Sequence, residues 1–339
     1  MIHFSLHPHT FHFKRPARTS RGDLEVRNVW FVRVWREGQP DVFGLGECGP
    51  VPGLSVDVPD LPQLNSIEDD LSDDLSQAIQ ASGVDRQRYP ALAFAVECAL
   101  LDLQQGGRRV LFDTGFVRGE FGLPTHGLIW MDSAEGVLKQ INNKVAQGYS
   151  VIKMKVGALP FAEELALLKE VRTRHPKVEL RLDANGAFSA EDALSCLEQL
   201  APLNVAFLEQ PIRAGQWQTM AEICRQSPIP IGLDEELIGA ENPTAWMETI
   251  RPQHLVLKPT LLGGLTACEE WMRLCSEIGC QWWINSLLES NVGLNAICQW
   301  TSSLDDVRIH GLGTGQLFTD NVESPLRLIG NQLWYGKNG

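Results

Sequence analysis

From His126 onward the chain repeats one pattern: a short apolar run, a turn, then an amphipathic stretch. The apolar runs are Gly127–Trp130, Val151–Val156, Val178–Leu182, Val205–Leu208, Ile229–Leu233, His254–Leu257, Gln281–Ile284 and Val307–His310. Helical patterns lie between them, such as Leu165/Leu168/Val171, Ala193/Leu197/Leu200 behind a Ser189–Asp192 capping box, and Leu265 to Ile278. Strand and helix alternating through short turns imply a parallel sheet. Eight regularly spaced strands favour closing that sheet into a barrel, and no GxGxxG follows the first of them. The expectation is an α/β fold, a modified TIM barrel of (β/α)7β type over residues 126–319.

A barrel takes about 250 residues, so part of this 339-residue chain is left over. Ile2, Phe4 and Leu6 alternate with His3, Ser5 and His7, and Val26 to Trp35 is rich in β-formers. Between these strands lies a basic, Pro- and Gly-punctuated loop at residues 15–22, and a second irregular loop spans Gly44 to Gly53. One helix is predicted from a Ser66/Asp69 start with the stripe Leu71, Leu75, Ala78 and Ile79. Another runs from Pro90 to the Gly106-Gly107 stop. These elements make an α+β capping domain over residues 1–125, on which a C-terminal segment from about residue 320 to 339 is expected to pack. The histidines at 3, 7, 9 and 12 mark the polar side of a strand rather than a metal site. Trp282 and Trp283 are expected to pack between barrel and helix layers.

The ionisable residues fall on the barrel ladder in step. Lys153 and Lys155 lie two apart on the second run, so both side chains point to one face. Asp183 and Asn185 close the third run, Glu209 the fourth, Asp234 the fifth and Lys258 the sixth. The intervals from Lys155 through Asp183, Glu209 and Asp234 to Lys258 are 28, 26, 25 and 24 residues, each one βα unit. Charge therefore gathers at the carboxyl ends of five consecutive strands, the face on which barrel enzymes build their sites. A single Asp or Lys at a strand end is ordinarily a cap or a solvated rim residue. Five of them, one unit apart in otherwise apolar segments, are not explained that way.

Three carboxylates in one mouth repel unless a cation joins them. An oxygen-only donor set selects a hard ion, Mg2+ with Mn2+ as a substitute. Lysines flanking that set can move or stabilise a proton, and burial beside other positive charge lowers a lysine pKa from ~10.4 toward about 7–8. A metal holding a substrate carboxylate would stabilise the enediolate left when the adjacent carbon loses its proton. The reaction class is proton abstraction α to a carboxylate. Lys153, Lys155 and Lys258 are the catalytic candidates, and Asp183, Glu209 and Asp234 the metal ligands. Asn185 shares a face with Asp183 and is placed beside the metal. Glu235 is expected to point outward by alternation.

These segments resemble the enolase superfamily, in particular its muconate-lactonizing-like subgroup. They are Ile152-Lys-Met-Lys-Val156, Arg181-Leu-Asp-Ala-Asn-Gly186, Phe207-Leu-Glu-Gln-Pro211, Gly232-Leu-Asp-Glu235 and Leu257-Lys-Pro259. Within the subgroup the chain is most similar to the o-succinylbenzoate synthases. That likeness rests on Arg15 to Gly22, Gly46 to Leu54, Ser286 to Gly293 and Leu312 to Asn321. The resemblance implies Mg2+-dependent syn dehydration of 2-succinyl-6-hydroxy-2,4-cyclohexadiene-1-carboxylate, a step of menaquinone biosynthesis. It implies Lys155 as base and then acid, Lys153 as its electrostatic partner, and Lys258 as the stabiliser on the opposite face. It further implies substrate contacts from Ser20 and Arg21 in the cap loop and from Ser286. Glu289, Ser290 and Asn291 after the seventh run and Gly313 and Thr314 after the eighth are candidates too, where backbone N–H groups can hold a carboxylate. A tight loop is the plain alternative for the glycines. The rival activities are N-succinylamino acid racemization and dipeptide epimerization, the latter with Asp320 as the acidic partner for a substrate amine. Rivals of other classes are a Schiff-base lyase and a non-catalytic barrel that binds a metal or anion.

Composition narrows the partners. With 42 acidic and 29 basic residues the net charge is −13, which argues against nucleic acid. A small anionic substrate then needs locally concentrated positive charge. The eight cysteines form no CxxC pair and suit buried thiols in a reducing compartment. The N-terminus carries no signal-like apolar stretch, and no window approaches the ~20 apolar residues of a membrane span. A cytoplasmic enzyme without a membrane partner is expected, and association into a homo-oligomer is compatible with such a barrel.

Overall fold

The structure, a computed structural model, describes residues 1–19, 22–57, 60–68, 75–304, 306 and 308–336. Strands β1 (Ile2–Thr19), β2 (Gly22–Arg36) and β3 (Phe43–Cys48) form an antiparallel sheet in that order. Helix α1 is described from Leu75 to Ala81 and buries Ala78 and Ile79 of the predicted stripe, and Leu71 with the Asp69 start lies outside the described residues. Helix α2 (Pro90–Gln104) is buried along almost its whole length. Its fit to the sheet needs two glycines. A Cβ at Gly44 or Gly46 would stand 1.8 Å from the carbonyl oxygens of Ala99 and Ala95 respectively.

After the two-residue strand β4 (Leu123–Pro124), the repeating region begins. It runs β5 (Gly127–Ile129), α3 (Ala134–Ala146), β6 (Val151–Lys155), α4 (Phe161–Arg174), β7 (Glu179–Asp183), α5 (Ala193–Leu200) and β8 (Val205–Glu209). It continues with α6 (Trp217–Gln226), β9 (Ile231–Leu233), α7 (Pro243–Ile250), β10 (His254–Leu257), the short α8 (Pro259–Leu262), α9 (Leu265–Ile278), β11 (Gln281–Ile284) and α10 (Asn291–Ser303). Strands β5 to β11 pair in sequence order as one parallel sheet. Side-chain oxygens start three of the helices. Ser133 accepts from Gly136 N, Asn242 from Ala245 N, and Ser290 from Val292 N.

The eighth apolar run departs from expectation. Val307 lies outside the described residues, and instead of a strand the chain makes two isolated bridges, Thr125 with His310 and Asn285 with Gly311. The ring is thereby closed by single residues: His126 N donates to His310 O at 2.9 Å and Gly311 N to Ile284 O at 2.8 Å.

Alternation along the strands sorts the inward side chains into layers. The lower one holds Lys153, Arg181, Phe207, Val256 and Trp283; Phe207 and Trp283 stack at 4.1 Å, with the Arg181 guanidinium 5.5 Å from each ring. Trp283 is thus the floor of the barrel, while Trp282 faces outward beneath Arg308. The upper layer holds the charged strand-end residues. Beyond α10 the chain returns to the cap, where Lys14 N donates to Leu317 O and Thr319 N to His12 O. The final hairpin, β12 (Leu326–Ile329) and β13 (Gln332–Tyr335), pairs with β4.

Candidate active site

A cavity of about 460 Å3 opens at the carboxyl ends of the strands. Lys153, Lys155, Asp183, Asn185, Asp234 and Lys258 line it from the barrel, and Val51 and Leu54 close on it from the cap. Glu209 is fully buried behind Lys153. The parallel register puts Lys155 beside Asp183 and Asp183 beside Glu209, so strand pairing alone brings three of these groups to one level.

Their contacts are ionic. Lys153 Nζ lies 2.9 Å from Asp183 Oδ2 and 2.7 Å from each oxygen of Glu209. Lys258 Nζ donates to Asp234 Oδ2. Lys155 is the least committed, 3.7 Å from Asp183 Oδ2 and donating to the amide oxygen of Asn185. Asn185, held at φ +44, passes the chain of contacts on by donating to Glu235 Oε1 at 2.9 Å. Burial alone would depress the Lys153 pKa, but Asp183, Glu209 and Asp234 outweigh it and hold the ammonium above its ordinary range. Lys258 is raised likewise, Asp234 overcoming burial. These two lysines therefore depart from the downward shift expected of them, because each faces carboxylates more closely than it faces another cation. Glu209 is pushed up to about 8 by burial and then by Asp183, and Glu235 up to about 7 by burial, Asp234 and Asp183.

An oxygen-only set of Asp183, Glu209 and Asp234 suits a hard divalent cation. Among the described residues no three carboxylates already surround one point, since Lys153 stands between Asp183 and Glu209 and Lys258 against Asp234. Two carboxylate oxygens of this cluster are nonetheless buried without a hydrogen bond among the described residues, Glu235 Oε2 and Glu209 Oε2, the latter close to Lys153 but badly angled. Burial would raise Asp183, but Lys153 and Lys155 hold it below the ordinary carboxylate range, while Glu209 lacks such full compensation and is raised. A crowded carboxylate raised in this way and oxygens short of donors are what a cation offsets, so the donor set fits one.

Sequence alternation places Glu235 wrongly. Strand β9 ends at Leu233, and a tight turn at Glu235–Leu237 swings this carboxylate into the cavity. Ser286, Gly313 and Thr314 line the cavity, with the Ser286 and Thr314 hydroxyls 2.7 Å apart. Glu289, Ser290 and Asn291 do not. Glu289 accepts from Thr260 Oγ1 at 2.6 Å and from Leu287 N. Ser290 donates to Glu47 and caps α10, and Asn291 donates to Val322 O. All three brace the loop after β11 from behind. Asp320 is spent on His12, accepting from its backbone N at 2.9 Å, with the imidazole 2.8 Å away. Ser20 and Arg21 lie outside the described residues. Among the cavity residues that escape the ladder reading are Asn285 and His126. Asn285 was within reach of it, standing two residues past Trp283 on the inward face.

Residues 136–331 match the family described as enolase C-terminal domain-like. An o-succinylbenzoate synthase of Desulfotalea psychrophila is 42% identical over 95% of both chains. The crystal structure of MenC from that organism superposes with a TM-score of 0.86 at 39% identity, covering 98% of this chain and 99% of that one. An L-Ala-D/L-amino acid epimerase of Flavobacterium johnsoniae is 25% identical over 96% of this chain and 97% of its own. With its ladder of lysines and carboxylates on consecutive strands and a family match over more than half its length, the chain belongs to the enolase superfamily.

Proposed function

We propose that this chain is an o-succinylbenzoate synthase, a hydro-lyase of menaquinone biosynthesis. It would remove water in syn fashion from 2-succinyl-6-hydroxy-2,4-cyclohexadiene-1-carboxylate. The observation that carries this reading is a single cavity in which Lys153 and Lys155 flank one side of a carboxylate cluster and Lys258 the other. The 42% identity to a synthase of that name narrows proton abstraction to this dehydration.

Asp183, Glu209 and Asp234 would hold Mg2+, or Mn2+ in its place, and the bound cation offers positive charge to the substrate's ring carboxylate. Lys155, tied to an amide rather than a carboxylate, takes the α-proton and returns it to the departing hydroxide as water leaves. Lys153 adds positive charge at the same face. Lys258 meets the negative charge developing on the ring from the opposite face, a cation over a forming π-system. Aromatisation drives the step once the proton is removed. Residues 1–125 serve as the cap and 126–319 as the catalytic barrel. The proposed compartment is the cytoplasm, supported by eight free, buried cysteines. No helix among the described residues is long and apolar enough to cross a membrane.

The test is turnover of the cyclohexadiene substrate with Mg2+, followed by the arene's ultraviolet absorbance. Lys155→Ala and Lys258→Ala should each lose at least about a thousandfold in kcat. Full activity in either variant sinks the mechanism. Exchange of an α-proton in D2O without arene formation would instead mark a racemase.

A further inference from the structure

The barrel is sealed where residues 310–311 bridge the first and last strands, and two polar side chains meet at that seam. His126 and Asn285 are each 6% exposed, and both line the cavity. Each carries a buried atom with no hydrogen-bond partner among the described residues, His126 Nδ1 and Asn285 Oδ1. Gly311 lets them approach: a Cβ there would lie 1.9 Å from Asn285 Oδ1 and 2.7 Å from His126 Cε1. Buried polar atoms are normally paired, and two such orphans on side chains that line one cavity leave hydrogen-bonding capacity for a ligand there.

Burial first, and then the charges of Lys153 and Arg181, keep the imidazole well below the usual histidine range. A neutral imidazole offers one donor and one acceptor, and a carboxamide offers both by turning about its last torsion. Such a wall, uncharged and with few donors, suits an uncharged oxygen better than a carboxylate. On the o-succinylbenzoate reading, the ring carboxylate and the departing hydroxyl belong to the cation and the lysines. The distal carboxylate calls for a cation or for several converging backbone N–H donors. One uncharged oxygen remains, the ketone of the succinyl chain.

We propose that His126 and Asn285 form a neutral specificity wall that hydrogen-bonds the side-chain ketone, selecting an acyl over an alkyl substituent. The proposal rests on the function proposed above, and a binding experiment separates the two. The Mg2+-loaded enzyme is titrated calorimetrically with o-succinylbenzoate and with 4-(2-carboxyphenyl)butanoate, in which a methylene replaces the ketone. The wild type should prefer the ketone by about tenfold to a hundredfold. His126→Phe should bring that ratio within about threefold while leaving affinity for the methylene compound. Asn285→Leu approaches the same wall from the other strand and serves where His126→Phe does not melt as a folded protein. A folded variant that keeps the full preference overturns the proposal, as does a wild type that turns over substrate yet binds both compounds equally. A wild type with neither turnover nor affinity for o-succinylbenzoate rejects the underlying function instead.

Discussion

Arg27 lies on β2 of the cap yet is 1% exposed, and its guanidinium joins two loops that never meet in sequence. It donates to Pro50 O at 2.6 Å and to Gly49 O on the cap side, and more distantly, at 3.4 Å, to Leu287 O and Leu288 O on the barrel side. Val51, Leu54, Leu287 and Leu288 are cavity walls, so one buried cation holds both sides of the mouth. Burial lowers its pKa, and the negative charges of Glu47 and Glu289 oppose that. Arg27→Met keeps the length and removes the donors. The two short bonds are worth about 1.5–3 kcal/mol each, being made by a charged group. The two long ones add little, and burying a thioether recovers part of the desolvation cost. The net loss is about 3 kcal/mol. A domain of 150–250 residues moves by about 2–4 °C per kcal/mol, and this longer chain moves less, so Tm should fall by roughly 5 °C. KM should rise about tenfold, because the loops that shape the cavity lose their tie, with a smaller change in kcat. Arg27→Lys should recover little, since a point charge cannot span the carbonyls. Circular-dichroism melts and steady-state kinetics read both effects. A Tm within about 1 °C of wild type and an unchanged KM would refute the reasoning.

Glu289→Ala should cost about 3 kcal/mol of stability, since Thr260 Oγ1 and Leu287 N lose their buried acceptor, while kcat changes less than about tenfold. A stable variant with kcat abolished would make Glu289 a substrate ligand after all. His310 is pressed from the ordinary 6.5 down to about 4, chiefly by burial, and its Nδ1 accepts from Ile284 N at 3.1 Å. A depressed folded-state pKa contributes stability in full above 6.5 and loses it as pH falls toward 4, by at most about 3 kcal/mol. Asp57, raised to about 6 by burial, acts in the opposite sense across the same range. The clean measurement is therefore the stability difference between wild type and His310→Gln, which should shrink between pH 7 and 4.5; a difference independent of pH defeats the assignment. Dialysis against a chelator should abolish dehydration, and Mg2+ or Mn2+ should restore it. Undiminished turnover of metal-stripped protein would remove the cation from the proposed mechanism.

The ladder of Lys153, Lys155, Asp183, Glu209, Asp234 and Lys258 is legible because strand alternation and the βα period act locally, and each residue's direction follows from its own strand. The same rule predicts Glu235 outward and fails, because alternation holds only inside a strand. Asp234, at φ −127° and ψ −73°, has already left β9. Glu289, Ser290 and Asn291 follow Ser286 closely in sequence, yet the chain turns at Leu288 with φ +60° and carries them away from the mouth. Their partners, Glu47, Thr260 and Val322, stand on other elements, and no local period announces such contacts. His126 appears in sequence as one polar residue at the edge of an apolar run; its depressed pKa comes from burial beside Lys153 and Arg181, and it meets Asn285 only where Gly311 closes the ring. The division has a physical basis. Reaction class is written by groups spaced one βα unit apart. On the proposed function, substrate choice would depend on walls supplied by the cap loop at Val51 and Leu54, by the Arg27 tie and by the seam of the barrel, all assembled from distant parts of the chain. The seam and the cap loops are therefore where substitutions should change specificity without touching the proposed proton-transfer groups.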